Sequence, residues 1–408
     1  MNLTKLRNQT REIYPFLYAA LCLAIPFAQF GEAIPNIAAI PVLAAFFLLV
    51  DRKLIREKID LKFVLFLILS VLIFIEALVF NRQDDFKYAE RLIIIPILVL
   101  FSFPLNKRKP VLLAFLIGAT ILMMTSYFRI LGFVFNSGKF DFSVGEFINQ
   151  ILLGDRPYVG FVYVVGILLS IYFMRIGTKK KHKALWLCIA LLFFLLILII
   201  SARMSLLSLV LIAFSSFFFV KNWKIPALIS TGLIFVIFLL IKLNPNFVDR
   251  FYAGFKQENY TLEKMLIMEP RYHIWGCSNK IANEKAVFLK GIGIENTAAE
   301  LVECFKQHEL FKNEEHRQYF INSRFNTHNQ FLNFYLGTGI FTTVLFAMFF
   351  LLWIRENRRN YVVFSLILAL LMFCWVENVL SRQMGCLLFG FVWVASILIS
   401  KRENRIPH

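Results

Sequence analysis

Twelve stretches rich in apolar residues alternate along the chain with short polar connections, at about 14–30, 33–50, 63–80, 92–103, 111–135, 158–176, 184–200, 203–220, 224–243, 330–353, 361–378 and 383–400. An α-helix needs roughly 20 residues to cross about 30 Å of hydrocarbon, and most of the stretches approach that length. The pattern predicts an all-α, polytopic membrane protein of about twelve transmembrane helices. The run at 92–103 is short and holds Pro96, so a tilted or broken span is expected there. The nearly continuous run at 184–220 divides at Ser201-Ala202-Arg203, because a charge at the bilayer centre is costly. The first apolar run lacks a small-residue cleavage site and reads as the first span rather than as a signal peptide.

Composition agrees. The chain has 408 residues, 59% of them hydrophobic, with a mean hydropathy of +0.68, more apolar surface than a soluble domain can bury. The net charge of +18 first suggests an anionic partner. More than half of the 44 Lys and Arg, however, fall in the N-terminal segment (Lys5, Arg7, Arg11), at 51–62, 107–109, 175–183, 221–224 and 355–359, and in the C-terminal segment, which together make every second connection. By the positive-inside rule both termini are cytoplasmic. The charge is then a topology signal, and nucleic acid is not an expected partner.

The alternate connections face outside and include one long loop, Asn244 to Thr327. The expected organisation is helices one to nine over 1–243, the loop over 244–327, and helices ten to twelve with a cytoplasmic tail over 328–408. Within the loop, apolar positions at helical spacing (Leu262, Met265, Leu266; Ile274, Cys277, Ile281) predict short amphipathic helices resting on the bundle. KGIGIENT, from Lys290 to Thr297, supplies the glycines of a turn between two of them. Cys22, Cys188, Cys374 and Cys386 lie in spans and read as small packing residues. Cys277 and Cys304 share the outer loop, where an oxidising compartment would allow a disulfide, although nothing in the sequence shows the two meeting.

The chain lacks HExxH, CxxC, Walker and GxSxG motifs, and the first outer connection, FGEAIPN, offers only Glu32, a poor ligand set for a divalent cation and more simply a solvated turn residue. No metal or cofactor is expected. What remains is a set of outer-face cations with one histidine: Arg203 in ISARMSLLSLV, Arg271 in EPRYHIW, and His328 in NTHNQFLNFYLGTG. Two guanidiniums can hold a diphosphate bidentately at any physiological pH, and a neutral imidazole can take a proton from an attacking hydroxyl. Each residue also has a plainer reading. Arg203 alone reads as a snorkelling anchor, Arg271 as a cation-π partner of Trp275, and His328 as a helix-opening residue with Asn326 or Thr327 as N-cap. His182, His273, His308, His316 and His408 are expected to be ordinary solvated residues. Glu76, Arg129 and Glu377 fall inside spans near the outer end, which points to a polar cavity open to the outer leaflet. Glu76 can pair with Arg129, or Arg129 can extend a path for phosphate.

These residues resemble a known family. THNQFLNFYLGTGI is similar to the His-Asn motif that follows the large periplasmic loop in the O-antigen ligase and O-antigen polymerase superfamily, and Arg203 and Arg271 match its two arginines. ENVLSRQMGCLLFGF, Glu377 to Phe391, resembles the Glu-x-x-Leu-x-x-Gln-x-Gly element of ligase-like members, in which Gln383 is the glutamine. Ala202 departs from the pattern, standing where many members have Ser before the arginine. The resemblance implies a membrane-embedded glycosyltransferase of the GT-C type in the bacterial inner membrane, with its active site facing the periplasm. An O-antigen ligase of this kind passes a glycan from undecaprenyl diphosphate to a sugar hydroxyl of lipid A core, with inversion and without a metal. His328 would then be the base, and Arg203 and Arg271 would hold the diphosphate, with Asn329, Arg129, Glu377, Gln383 and Arg324 as supporting residues. An O-antigen polymerase and a protein O-oligosaccharyltransferase would use the same donor. A lipid or anion transporter is the alternative from another class, disfavoured by charges gathered at one leaflet and by the lack of an internal repeat.

Overall fold

The computed structural model describes residues 3–138, 145–243, 269–285, 287–307, 311 and 314–403. Among them every regular element is helical. Each of the twelve apolar runs is a helix, with two changes of boundary. The short run at 92–103 belongs to a longer helix, Gln83–Phe101, whose first turns are polar and carry Asp84 and Asp85. The run at 330–353 is two helices, Gln330–Thr338 and Ile340–Asn357, divided at Gly339, whose φ of 86° is left-handed and whose Cβ, if it had one, would lie 2.6 Å from the carbonyl oxygen of Leu289. The expected break at Ser201 is present: helix Lys180–Ile199 ends, Ser201 takes φ 50°, and helix Arg203–Ser215 begins.

Among the described residues, six helices are long and apolar enough to cross a membrane, or seven if Ala33–Leu49 and Arg52–Lys58, bent by 108°, count as one. Helices 203–218, 224–239 and 361–376 are apolar but shorter. The bundle is thus that of a multi-pass membrane protein, with six or seven candidate spans by length and composition among the described residues. Its outer surface is a belt of exposed apolar side chains such as Phe47, Phe135 and Leu228, which suits lipid rather than water. Helix Gln383–Ser400 forms the centre of the bundle and is almost wholly buried, whereas Lys180–Ile199 is largely exposed and lies at the rim. Cys188 on that rim helix is exposed, unlike buried Cys22, Cys374 and Cys386. Two tyrosines carry polar tips into the core where partners wait. Tyr14 and Tyr18 donate to the carbonyls of Phe101 and Leu98, at 2.6 and 2.8 Å, in the last turn of helix Gln83–Phe101, where helical carbonyls have no intrahelical partner.

Ion pairs and hydrogen bonds tie the connections into two opposite ends. Arg7 bonds Asp51, Lys62 pairs with Glu356, Lys58 reaches the Phe103 carbonyl and Arg108 that of Leu398, so the basic connections share one end. At the other end the described part of the loop forms a small core of its own. Helices Pro270–Glu284, Ile294–Gln307 and Glu314–Ser323 enclose Ile274, Cys277, Ile281, Leu301, Cys304, Phe305 and Phe320, closed below by Leu336 of helix Gln330–Thr338. Ile274, Cys277 and Ile281 are the buried face expected from spacing, while Leu262, Met265 and Leu266 lie outside the described residues. Cys277 and Cys304 are disulfide-bonded, joining the first two of these helices. His273 is not solvated as expected. It is fully buried, stacked on Phe311 at 4.7 Å and edge-on to Phe320 at 5.3 Å, because its helix turns that face into the loop core. His316 is half-buried in the same cluster, His182 is exposed, and His308 and His408 lie outside the described residues.

The loop is clamped to the bundle. Gly291 and Gly293 take φ of 58° and 100°, as the KGIGIENT turn requires, and Ile292 and Gly293 donate to the carbonyls of Leu336 and Gly337. A Cβ on Gly291 would lie 2.3 Å from the Gly337 backbone, so only glycine fits there. Arg82 donates to the carbonyls of Gly291 and Gly337, at 3.0 and 3.2 Å. Asp85 accepts the N–H groups of Ile294 and Glu295, capping helix Ile294–Gln307 from another part of the chain. Burial raises the Glu295 carboxyl above its ordinary value, and the neighbouring charge of Asp85 adds to the rise.

Candidate active site

Four helix ends converge on the loop side of the bundle. Arg156, Arg203 and Arg271 sit in the first turns of helices Arg156–Ile176, Arg203–Ser215 and Pro270–Glu284, and Glu377 follows the last residue of Tyr361–Val376. Pro157 and Pro270 open two of these helices, where the missing N–H costs nothing. Around them is a cavity of about 620 Å³, lined by the three arginines together with Glu269, Tyr272 and Trp275. Three guanidiniums at helix N-termini make this a region of positive potential, suited to an anion.

The charged groups form one chain. Glu269 accepts from Arg271 Nη1 at 2.9 Å through Oε1 and from Arg203 Nη1 at 3.3 Å through Oε2, so a single carboxylate bridges both arginines. Arg271 Nη2 donates to the Val376 carbonyl at 3.3 Å and lies 3.8 Å from Glu377 Oε1, while its Nε is buried without a hydrogen-bond partner among the described residues. The other oxygen of Glu377, Oε2, is 3.2 Å from His328 Nδ1. The order is Arg203, Glu269, Arg271, Glu377, His328. All five are between one-tenth and one-third exposed, so each is reachable from outside yet poorly screened.

His328 is held in an unusual backbone conformation, with φ 44°. Such strain costs on the order of 1–2 kcal/mol and persists only where neighbours over-determine it. Here they do. The His328 N–H donates to Asn326 Oδ1, Thr327 Oγ1 and Asn329 N both donate to Asn378 Oδ1, and Trp275 Nε1 donates to the Thr327 carbonyl. Trp275, the expected cation-π partner of Arg271, instead buttresses the histidine segment. The N-cap of helix Gln330–Thr338 is Asn329, which accepts from Leu332 N, and neither Asn326 nor Thr327. Gln330 links Tyr88 Oη to the Leu380 N–H, fixing the 377–382 segment against the bundle.

Of the supporting residues, Glu377 and Asn329 join the site directly. Arg129 does not pair with Glu76: its Nη2 donates to the Gln150 carbonyl at 3.0 Å. Gln383 Nε2 donates to Asn36 Oδ1 and Arg324 is exposed in the turn after helix Glu314–Ser323, both away from the cavity lining. Glu32 is an exposed residue preceding helix Ala33–Leu49 and caps nothing. Glu269, Arg156 and Asn378 were not anticipated. A sequence signal for the first two exists, since Asp155-Arg156-Pro157 and Glu269-Pro270-Arg271 both place an acid, an arginine and a proline at a helix start. Asn378 has no comparable signal, because its role depends on bringing two distant segments together.

Residues 187–347 match the family model described as O-Antigen ligase, a span that contains Arg203, Glu269, Arg271 and His328. The match, over about two-fifths of the chain, supports its resemblance to the O-antigen ligase and polymerase family. Glu377 and Arg156 lie outside the matched span, yet the fold brings both to the same cavity or its rim. No curated protein matches the chain. The resemblance points to activity of the O-antigen ligase or polymerase type.

Proposed function

We propose that the protein is an O-antigen ligase that moves a glycan from undecaprenyl diphosphate to a sugar hydroxyl of lipid A core at the periplasmic surface of the inner membrane. The observation that carries this reading is the continuous chain from two arginines to a histidine through Glu269 and Glu377, of which all but Glu377 lie inside the span that matches the family. In this reading the twelve apolar runs all span or partly enter the bilayer, both termini are cytoplasmic, and the architecture is of the GT-C type.

Arg203 and Arg271 bind the diphosphate, exchanging part of their contact with Glu269 for phosphate oxygens. Both stay ionised at any physiological pH, so they hold the donor and balance the charge released as the bond to the anomeric carbon breaks. Glu377 takes the Nδ1–H of His328, which leaves Nε2 to receive the proton of the acceptor hydroxyl as its oxygen attacks the anomeric carbon from the opposite side. The new C–O bond forms, the old one breaks, and the diphosphate leaves as an anion. The imidazolium that results faces a carboxylate. Guanidiniums here supply the positive charge that a divalent ion supplies in other diphosphate sites.

Deleting the gene tests the reading in cells. Loss of a ligase leaves bare lipid A core and an excess of polymerised lipid-linked glycan. Core bearing a single repeat would identify a polymerase instead, and lipopolysaccharide of unchanged banding would overturn both.

A further inference from the structure

A second concavity of about 470 Å³ opens on the loop side of the bundle, lined by Gln29, Phe30, Asn149, Gln150, Gly154 and Asp155 among others. It adjoins the arginine cavity through consecutive residues, since Asp155 lines one and Arg156 the other. The chemistry of the two differs. Three cations line the first, whereas the second presents three carboxamides and one carboxylate. A carboxamide offers an acceptor and two donors side by side, which matches a hydroxyl that both donates and accepts; it does not match a phosphate.

Several groups are already oriented. Asn149 donates to Asp155 Oδ1 at 3.0 Å and accepts from the Arg156 N–H at 3.0 Å, and Arg382 engages Asp155 Oδ2 while lying over the Tyr158 ring. Gln29 Oε1 is buried without a hydrogen-bond partner among the described residues. An unsatisfied acceptor costs about 1–3 kcal/mol, which a ligand hydroxyl could relieve. Gly154 lets the backbone approach that oxygen, as a Cβ there would be 2.6 Å from it. Leu153 is held at φ 58°, a strained conformation for a branched residue and one that clusters at ligand sites. Phe30, 64% exposed at the lip, offers a flat apolar face to the C–H side of a sugar ring. The volume lies within the range of small-ligand clefts.

We propose that this concavity is a saccharide subsite, holding a sugar ring of either the donor glycan or the acceptor core while the diphosphate sits among the arginines. The inference rests on the transfer reading above and extends it to the sugar. The test uses the full-length protein in lipid nanodiscs and three probes: undecaprenyl diphosphate, the same lipid carrying a trisaccharide, and lipid A core oligosaccharide. Gln29→Ala/Gln150→Ala should weaken binding of one sugar probe about tenfold and leave bare undecaprenyl diphosphate unchanged. The probe that loses affinity names the source of the sugar. Phe30→Ala, an exposed substitution that does not threaten folding, should do the same to a smaller extent. Wild-type affinity of both variants for both sugar probes overturns the subsite, as does a wild-type protein that binds neither sugar probe. Failure of the transfer reading looks different: bare undecaprenyl diphosphate would then bind equally well to wild type and to Arg203→Ala.

Discussion

His328 Nδ1 lies 3.2 Å from Glu377 Oε2, across 49 residues of chain and three helices. A carboxylate at that distance fixes the tautomer and the orientation of an imidazole and stabilises its protonated form. Glu377→Gln keeps the shape and removes the charge. Transfer should fall by about 10- to 100-fold while binding of undecaprenyl diphosphate changes little, because the carboxylate acts on the proton and not on the lipid. Single-turnover rates alongside binding isotherms separate the two effects.

Glu269 competes with the proposed ligand, since it bridges Arg203 and Arg271 in the absence of a diphosphate. Glu269→Ala should therefore tighten binding of bare undecaprenyl diphosphate, by a factor on the order of ten. Arg203→Lys and Arg271→Lys should weaken it by a comparable factor each, because an ammonium cannot reproduce the two parallel hydrogen bonds of a guanidinium. Isothermal titration with the three variants checks both directions in one series.

Arg271 stands out in the sequence only by its motif within the loop, whereas Arg203 and His328 are conspicuous because each sits in a short motif at the edge of an apolar run, where a charge is expensive. The helices were legible for the same reason. The span count was less so: apolar length alone does not separate a helix such as Gln330–Thr338, stopped by Gly339, from the helix Ile340–Asn357 that continues its run. Glu269 is less conspicuous, since an acid beside an arginine on a loop is usually solvent-exposed. Asn378, Gln330 and the burial of His273 required tertiary structure, because each depends on contacts between segments far apart in the chain.

The disulfide between Cys277 and Cys304 closes a separation of 27 residues within the loop core. By the loop-closure relation its removal should cost about 3.5 kcal/mol of loop stability. Cys277→Ser should lower the temperature at which the loop becomes sensitive to protease. The wild-type chain, but not the variant, should change mobility on a gel between reducing and non-reducing conditions.

Arg82 and Asp85 dock the loop on the bundle through backbone groups of 291, 294, 295 and 337. Asp85→Ala removes the cap of helix Ile294–Gln307 and should cost about 1 kcal/mol. Limited proteolysis should then cut the loop several-fold faster, with transfer reduced in proportion to the loss of loop order, since Arg271 and Trp275 are carried on the same loop.

The central claim is that His328 is the base in a transfer that needs no added metal. Purified protein in nanodiscs, undecaprenyl-diphosphate-linked glycan and lipid A core are mixed with a chelator present, and the ligated product is followed. Ligation by the wild type, with a loss of at least 100-fold in His328→Ala and undiminished binding of the donor, is the expected result. Full activity of His328→Ala would contradict the account.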